Sequence, residues 1–137
     1  VLQINGSKIL PLICYEVIFP KYAFGDYDFI VNITNDAWFG NSTGPRQHLA
    51  MAQMRAIEQG KPVLRAANTG ISAVIDANGR ILQSLPYNSK GEIATKIPNR
   101  IDTLYSRIAS LWYCNLMILT FLFAFIGKNA IRLLCKS

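Results

Sequence analysis

The apolar positions of this chain fall into short runs, each closed by residues that turn a chain. Ile9-Leu10-Pro11-Leu12-Ile13 is almost wholly apolar and ends on Cys14 and Glu16, the pattern of a buried strand. Ahead of it, Val1-Leu2-Gln3-Ile4 enters a turn at Asn5-Gly6 and returns through Lys8, which predicts a hairpin. Residues 17–25 read as irregular, and 28–34, rich in β-branched and aromatic residues, predict another strand. Strands are also predicted at 62–68 and 71–76, and Asn78-Gly79 signals a two-residue hairpin into 80–82. A further short strand is expected near 92–97.

Between these runs the period changes to that of a helix. Ser42 or Thr43 can cap it, Pro45 suits its first turn, and Gly60 with Pro62 stops it, so a helix is predicted over 46–59. Its apolar stripe is Leu49, Ala52, Ala56 and, slightly offset, Ile57, with Gln47, Arg55 and Glu58 elsewhere. Met51 and Met54 are expected to pack. Strands around one helical layer predict an α/β fold, and the opening strand reads as the inside of a larger one.

A third pattern follows. Residues 108–127 carry no charge, and about twenty apolar residues match the thickness of a bilayer core, which predicts a transmembrane helix within 105–128. Tyr105, Trp112 and Tyr113 suit an interface at one end, and Lys128, Arg132 and Lys136 follow the other. The basic tail, 129–137, is expected in the cytoplasm. Asn115 and Thr120 can bond to a neighbouring helix or to their own backbone. No basic and apolar leader opens the sequence.

Composition sharpens this division. The 137 residues are 51% hydrophobic and 16% charged, with the excess apolarity in the predicted span. The net charge of +6 is dispersed along the chain rather than gathered, so no nucleic-acid partner is expected. Cys14, Cys114 and Cys135 lack paired spacing and His48 is the single histidine, so neither a metal nor another cofactor is expected.

The candidate chemistry starts at Cys14. A buried strand holds its last residue rigidly beside a loop free to form a pocket. A cysteine there is either a nucleophile or an inert core residue. Asn35, Trp38 and Phe39, in the polar-aromatic loop after 28–34, suit either a pocket wall or packing. His48 opens the helix and is expected to cap or brace a loop rather than serve as a base. Arg55 and Glu58 form an i,i+3 pair.

The motifs resemble a known group. Cys14-Tyr15-Glu16 with Phe19-Pro20 is similar to the nucleophile motif of the nitrilase superfamily. The ordered segments Thr34-Asn35-Asp36-Ala37-Trp38-Phe39-Gly40, Gln47-His48, Met54-Arg55-Ala56-Ile57-Glu58 and Arg65-Ala66-Ala67-Asn68-Thr69-Gly70-Ile71-Ser72 resemble the apolipoprotein N-acyltransferase family within it. Ile18 stands where many nitrilases carry arginine, which favours the lipid-handling branch.

The resemblance implies that residues 1–104 are the C-terminal half of a nitrilase-like α-β-β-α sandwich, followed by one transmembrane helix. It implies Cys14 as nucleophile, the Tyr15 amide as an oxyanion donor, and Glu16 lining the site. The implied donor is a phospholipid acyl chain and the implied acceptor a diacylglyceryl-modified lipoprotein. The catalytic domain would face the periplasm at the bacterial inner membrane. The family's glutamate base and lysine should precede Cys14, and Lys8 does not match that lysine's place. The chain alone is therefore expected to be inactive, completed by an N-terminal half that can be a separate chain.

Overall fold

The computed structural model describes residues 1–107, 115–123 and 125. The chain divides into two units, Val1–Thr103 and Leu104–Ser137. In the first, six strands form one sheet in chain order: β1 (Leu2–Ile4), β2 (Ser7–Ile13), β3 (Phe29–Asn35), β4 (Val63–Asn68), β5 (Ser72–Ile75) and β6 (Ile81–Leu85). The central strands β2, β3 and β4 run parallel, while β1, β5 and β6 are antiparallel to their neighbours. This is a mixed α/β arrangement.

Parallel neighbours need a long crossover. Between β3 and β4 it is α1 (Gly44–Gln59), whose first turn holds Pro45 and whose end is Gly60 in the left-handed conformation. Leu49, Ala52 and Ala56 of α1 are buried with Leu10, Leu12, Ile30 and Val63, which share one face of the sheet. The register explains that face, because Leu10 pairs with Ile30 and Ile30 with Val63. The opposite face is apolar yet open: Ile13 and Ile33, paired across β2 and β3, are each more than half exposed.

Several details differ from expectation. The helix begins two residues early, at Gly44, and β6 runs on to Leu85. The segment after Cys14 is not irregular but winds into 3-10 turns at Cys14–Ile18 and Pro20–Ala23. Ile57, Met51 and Met54 are exposed, whereas Arg55 is buried. The phase of α1 explains this, since the buried stripe follows Leu49, Ala52 and Ala56 at helical spacing and continues through Arg55 and Gln59. No strand forms at 92–97; Ile93 and Thr95 instead line a groove with Val31, Leu64 and Leu85.

The second unit is helical at 104–107 and 115–123. Leu116, Met117, Ile118, Leu119, Phe121, Leu122 and Phe123 are exposed, and the Thr120 hydroxyl donates to its own backbone at Met117, 2.9 Å away. Among the described residues no helix is long and apolar enough to cross a membrane. Much of the expected span, with Trp112, Tyr113 and Cys114, and the whole tail with Cys135, lie outside the described residues.

Candidate active site

Chemistry in a parallel sheet tends to lie beyond the carboxyl ends of the strands. Cys14 follows β2 directly, Asp36 follows β3, and Asn68 closes β4. Cys14 is half-buried at φ +51°, a left-handed conformation. For a residue with a Cβ this costs about 1–3 kcal/mol and persists only where the surroundings impose it.

The surroundings here do so from both sides. Glu16 Oε2 accepts from the Ile13 amide at 2.7 Å, and His48 Nε2 lies 3.3 Å from the Cys14 carbonyl oxygen. The Thr34 hydroxyl reaches the Cys14 sulfur at 3.5 Å. The strained residue is held at its backbone and approached at its thiol.

Behind this contact lies a buried polar array. His48 Nδ1 is 2.9 Å from Asp36 Oδ1, which the Thr34 hydroxyl also approaches at 3.1 Å. Arg65 Nη2 donates to Asp36 Oδ2 at 2.7 Å, its Nε donates to the Ile71 carbonyl at 3.3 Å, and its Nη1 donates to Asn32 Oδ1. Asn32 in turn donates to the Leu12 carbonyl at 2.9 Å. The Arg65 and Asp36 side chains are fully buried, a placement that holds only when such polar groups find partners. Burial pulls Arg65 below its ordinary value, while the charge and hydrogen bond of Asp36, and more weakly Cys14, push it back up.

Strand alternation brings these groups together. Asn32 and Thr34 share the buried face of Ile30, and Asn32 pairs with Leu12 on one side and Arg65 on the other. On the outer side of His48, Tyr15 stacks at 5.4 Å between ring centroids and Phe39 meets the imidazole edge-on at 5.8 Å. Tyr15, Ile18, Phe39, Gly44, Gln47, His48 and Met51 line an open groove of about 300 Å³. It starts at the residue after the thiol.

Of the residues singled out in the sequence, Cys14, Tyr15, Glu16 and Phe39 gather around this groove and its nearest strand end. Asn35 braces a turn, its Oδ1 accepting from the Ala37 amide at 3.2 Å and from Asn68 Nδ2 at 3.0 Å. Trp38, on the turn Ala37–Phe39, is 85% exposed and does not line the groove. Lys8 pairs with Asp26 at the start of β2, about 20 Å from Cys14 by strand rise. Asn32, Thr34, Asp36 and Arg65 were not singled out as site residues. Polar residues at period two inside a β-branched run were the signal for the first pair. Among the described residues no group of three or more His, Cys, Asp or Glu could hold a metal ion.

Residues 1–105 match the carbon-nitrogen hydrolase family. The chain belongs to that family. It is 53% identical over 103 residues to an apolipoprotein N-acyltransferase of Rhizobium meliloti, covering 73% of this chain and 19% of the relative. It is 44% identical over 126 residues to one from Brucella melitensis, covering 90% of this chain and 24% of that protein. The chain thus spans roughly a fifth to a quarter of the length of these curated relatives. Among solved structures, the fold is similar to an amidase from Nesterenkonia sp., with a TM-score of 0.54 at 25% identity, covering 64% of this chain and 37% of the amidase. It is also similar to XC1258 from Xanthomonas campestris, a CN-hydrolase superfamily protein, with a TM-score of 0.56 at 21% identity, covering 65% of this chain and 40% of that one. The mixed α/β sheet of six strands is the part of the chain that carries this likeness, and Cys14 directly follows one of its central strands, β2.

Proposed function

We propose that this chain is part of an apolipoprotein N-acyltransferase in which Cys14 carries the acyl group as a thioester. The Cys14 thiolate attacks the ester carbonyl of a phospholipid, the carbonyl carbon to alkoxy oxygen bond breaks, and the lysophospholipid leaves as an alcohol once that oxygen takes a proton. The α-amino group of a diacylglyceryl-modified cysteine then attacks the thioester. The carbon–sulfur bond breaks, an amide forms, and the amine's proton returns to Cys14.

The observation that carries this reading is the strained Cys14 held at the end of β2, one residue from an apolar-walled groove. A thiol is mostly protonated near neutrality and needs a base, and the tetrahedral oxyanion needs donors worth about 3 kcal/mol for one well-placed group. The Tyr15 amide serves as one donor and Glu16 holds the preceding peptide, while Phe39 lines the path of the acyl chain and Asn35 with Trp38 shapes the rim. A glutamate base and a lysine come from the N-terminal half, as part of the same polypeptide or as a second chain, and without them this chain is inactive. No cofactor takes part.

That half also supplies the second sheet of an α-β-β-α sandwich, which covers the open face at Ile13 and Ile33. The exposed apolar side chains along 115–123 support a transmembrane helix within 105–128, with the catalytic domain periplasmic at the inner membrane and the basic tail cytoplasmic. The test is acyl transfer from phospholipid to a diacylglyceryl peptide, with this chain joined to the N-terminal part of a close relative. Transfer that disappears in Cys14→Ser is the expected result. The likeness to an amidase favours a second reading, a membrane-anchored amidase, and hydrolysis of small amides without transfer would establish it. Unchanged behaviour of Cys14→Ser in every assay would make the chain a non-catalytic remnant or interaction module.

A further inference from the structure

We infer that Asp36, His48 and Arg65 are positioning residues for Cys14, holding its carbonyl and presenting a net positive charge beneath its thiol. The inference rests on Cys14 being the nucleophile, as proposed above. It adds a second source of activation, built from residues the acyl-transfer scheme does not use.

Hydrogen-bond chemistry supports the charge. The two ring nitrogens of His48 face the Cys14 carbonyl and an Asp36 carboxylate oxygen, and neither oxygen has a proton to give. Only a ring protonated on both nitrogens donates to both. With Arg65 and Asp36 fully buried as an ion pair, the array of Arg65, Asp36 and His48 then sums to one positive charge. A cation beside a cysteine favours its thiolate. The titratable or charged groups facing His48 are Asp36 beyond β3, Cys14 and Tyr15 on the 3-10 turn, and, through Asp36, Arg65 of β4.

Geometry supplies the second half. His48 donates to the carbonyl of the one site residue with strained backbone, and the Arg65 bonds to Asp36, Asn32 and Ile71 fix the carboxylate that orients the imidazole. Thr34 completes the device: its single proton can go to Asp36 Oδ1 or to the sulfur, at 3.1 Å and 3.5 Å. When Cys14 is a thiol it can donate to the Thr34 oxygen, and when it is a thiolate Thr34 can donate to it. Asp36 itself is no base, because both of its oxygens are already engaged by donors.

The experiment is the pH profile of iodoacetamide alkylation at Cys14, read peptide by peptide by mass spectrometry on the full chain, with N-acetylcysteine as reference. His48→Gln and Arg65→Met are compared with the parent, each with a thermal melt. Each variant leaves the array without its net positive charge, and both are expected to move the midpoint of the profile upward by about one pH unit and to slow alkylation near neutrality about tenfold. Arg65→Met leaves Asp36 and His48 in place and removes one positive charge, so it decides the matter if His48→Gln does not fold. Profiles that coincide with the parent's in folded variants would overturn the inference. Acyl transfer that survives Cys14→Ser would instead overturn the catalytic reading, and the alkylation assay does not depend on that outcome.

Discussion

Replacing Arg65 by methionine tests the central claim about the buried array. The substitution keeps roughly the length of the side chain and removes its charge and donors, so Asp36 Oδ2, Asn32 Oδ1 and the Ile71 carbonyl all lose a partner inside the protein. Removing one member of a buried ion pair costs about 3–5 kcal/mol, chiefly because the other charge is left uncompensated. Since Thr34 and His48 still face Asp36 Oδ1, the lower end applies, about 3 kcal/mol. Against a total stability of about 5–15 kcal/mol, that loss is large.

The assay is urea unfolding followed by circular dichroism, because Trp38 is already 85% exposed and its fluorescence would change little. Adding Asp36→Asn to Arg65→Met should recover part of the loss, since the orphaned charge is gone, and the coupling between the two changes should be about 1 kcal/mol or more. A cost below about 1 kcal/mol for Arg65→Met, or two changes that simply add, would refute the view that these side chains form one charged unit.

Two further outcomes follow from residues outside the site. Gly60→Ala should cost about 1–3 kcal/mol in a thermal melt, because a Cβ at φ +64° would meet Thr103 Cγ2 at 2.7 Å and press on the Ile101 carbonyl. An unchanged melt would mean that the segment before Leu104 does not pack there. Burial pushes the Tyr27 phenol above its ordinary range, with Arg55 pulling weakly the other way. Its folded value exceeds its unfolded one, so its contribution is whole below about pH 10 and is lost as pH rises beyond that. Stability should therefore fall less steeply in alkali for Tyr27→Phe, and parallel slopes for the two proteins would refute it.

The elements were legible where one physical signal dominated. The run before Cys14, the strand rich in β-branched residues and the Asn78-Gly79 hairpin each announce a local conformation, and β2, β3 and the turn before β6 formed accordingly. The segment at 92–97 carries a strand-like composition but lines a groove on the sheet's open face instead of joining an edge, and composition does not say which. Met51 and Ile57 were misplaced for a related reason. A stripe of small alanines lets either flank of a helix face the core, and the neighbours decide.

The site was legible only in part, and the omitted half is polar. Cys14 announces itself at the end of an apolar run, but Asp36 reads as a loop residue and Arg65 as an interruption in a strand. Their significance arises when parallel pairing sets Asn32 against Arg65 and when α1 swings His48 over the end of β2. That assembled array also explains why the proposed base comes from elsewhere. Asp36 has both oxygens engaged and His48 both nitrogens, and Glu16 spends Oε2 on the Ile13 amide. Lys8 sits at the far end of β2, paired with Asp26. In the proposed scheme these groups hold and polarise Cys14, and the step that needs a free proton acceptor is assigned to the glutamate of the N-terminal half.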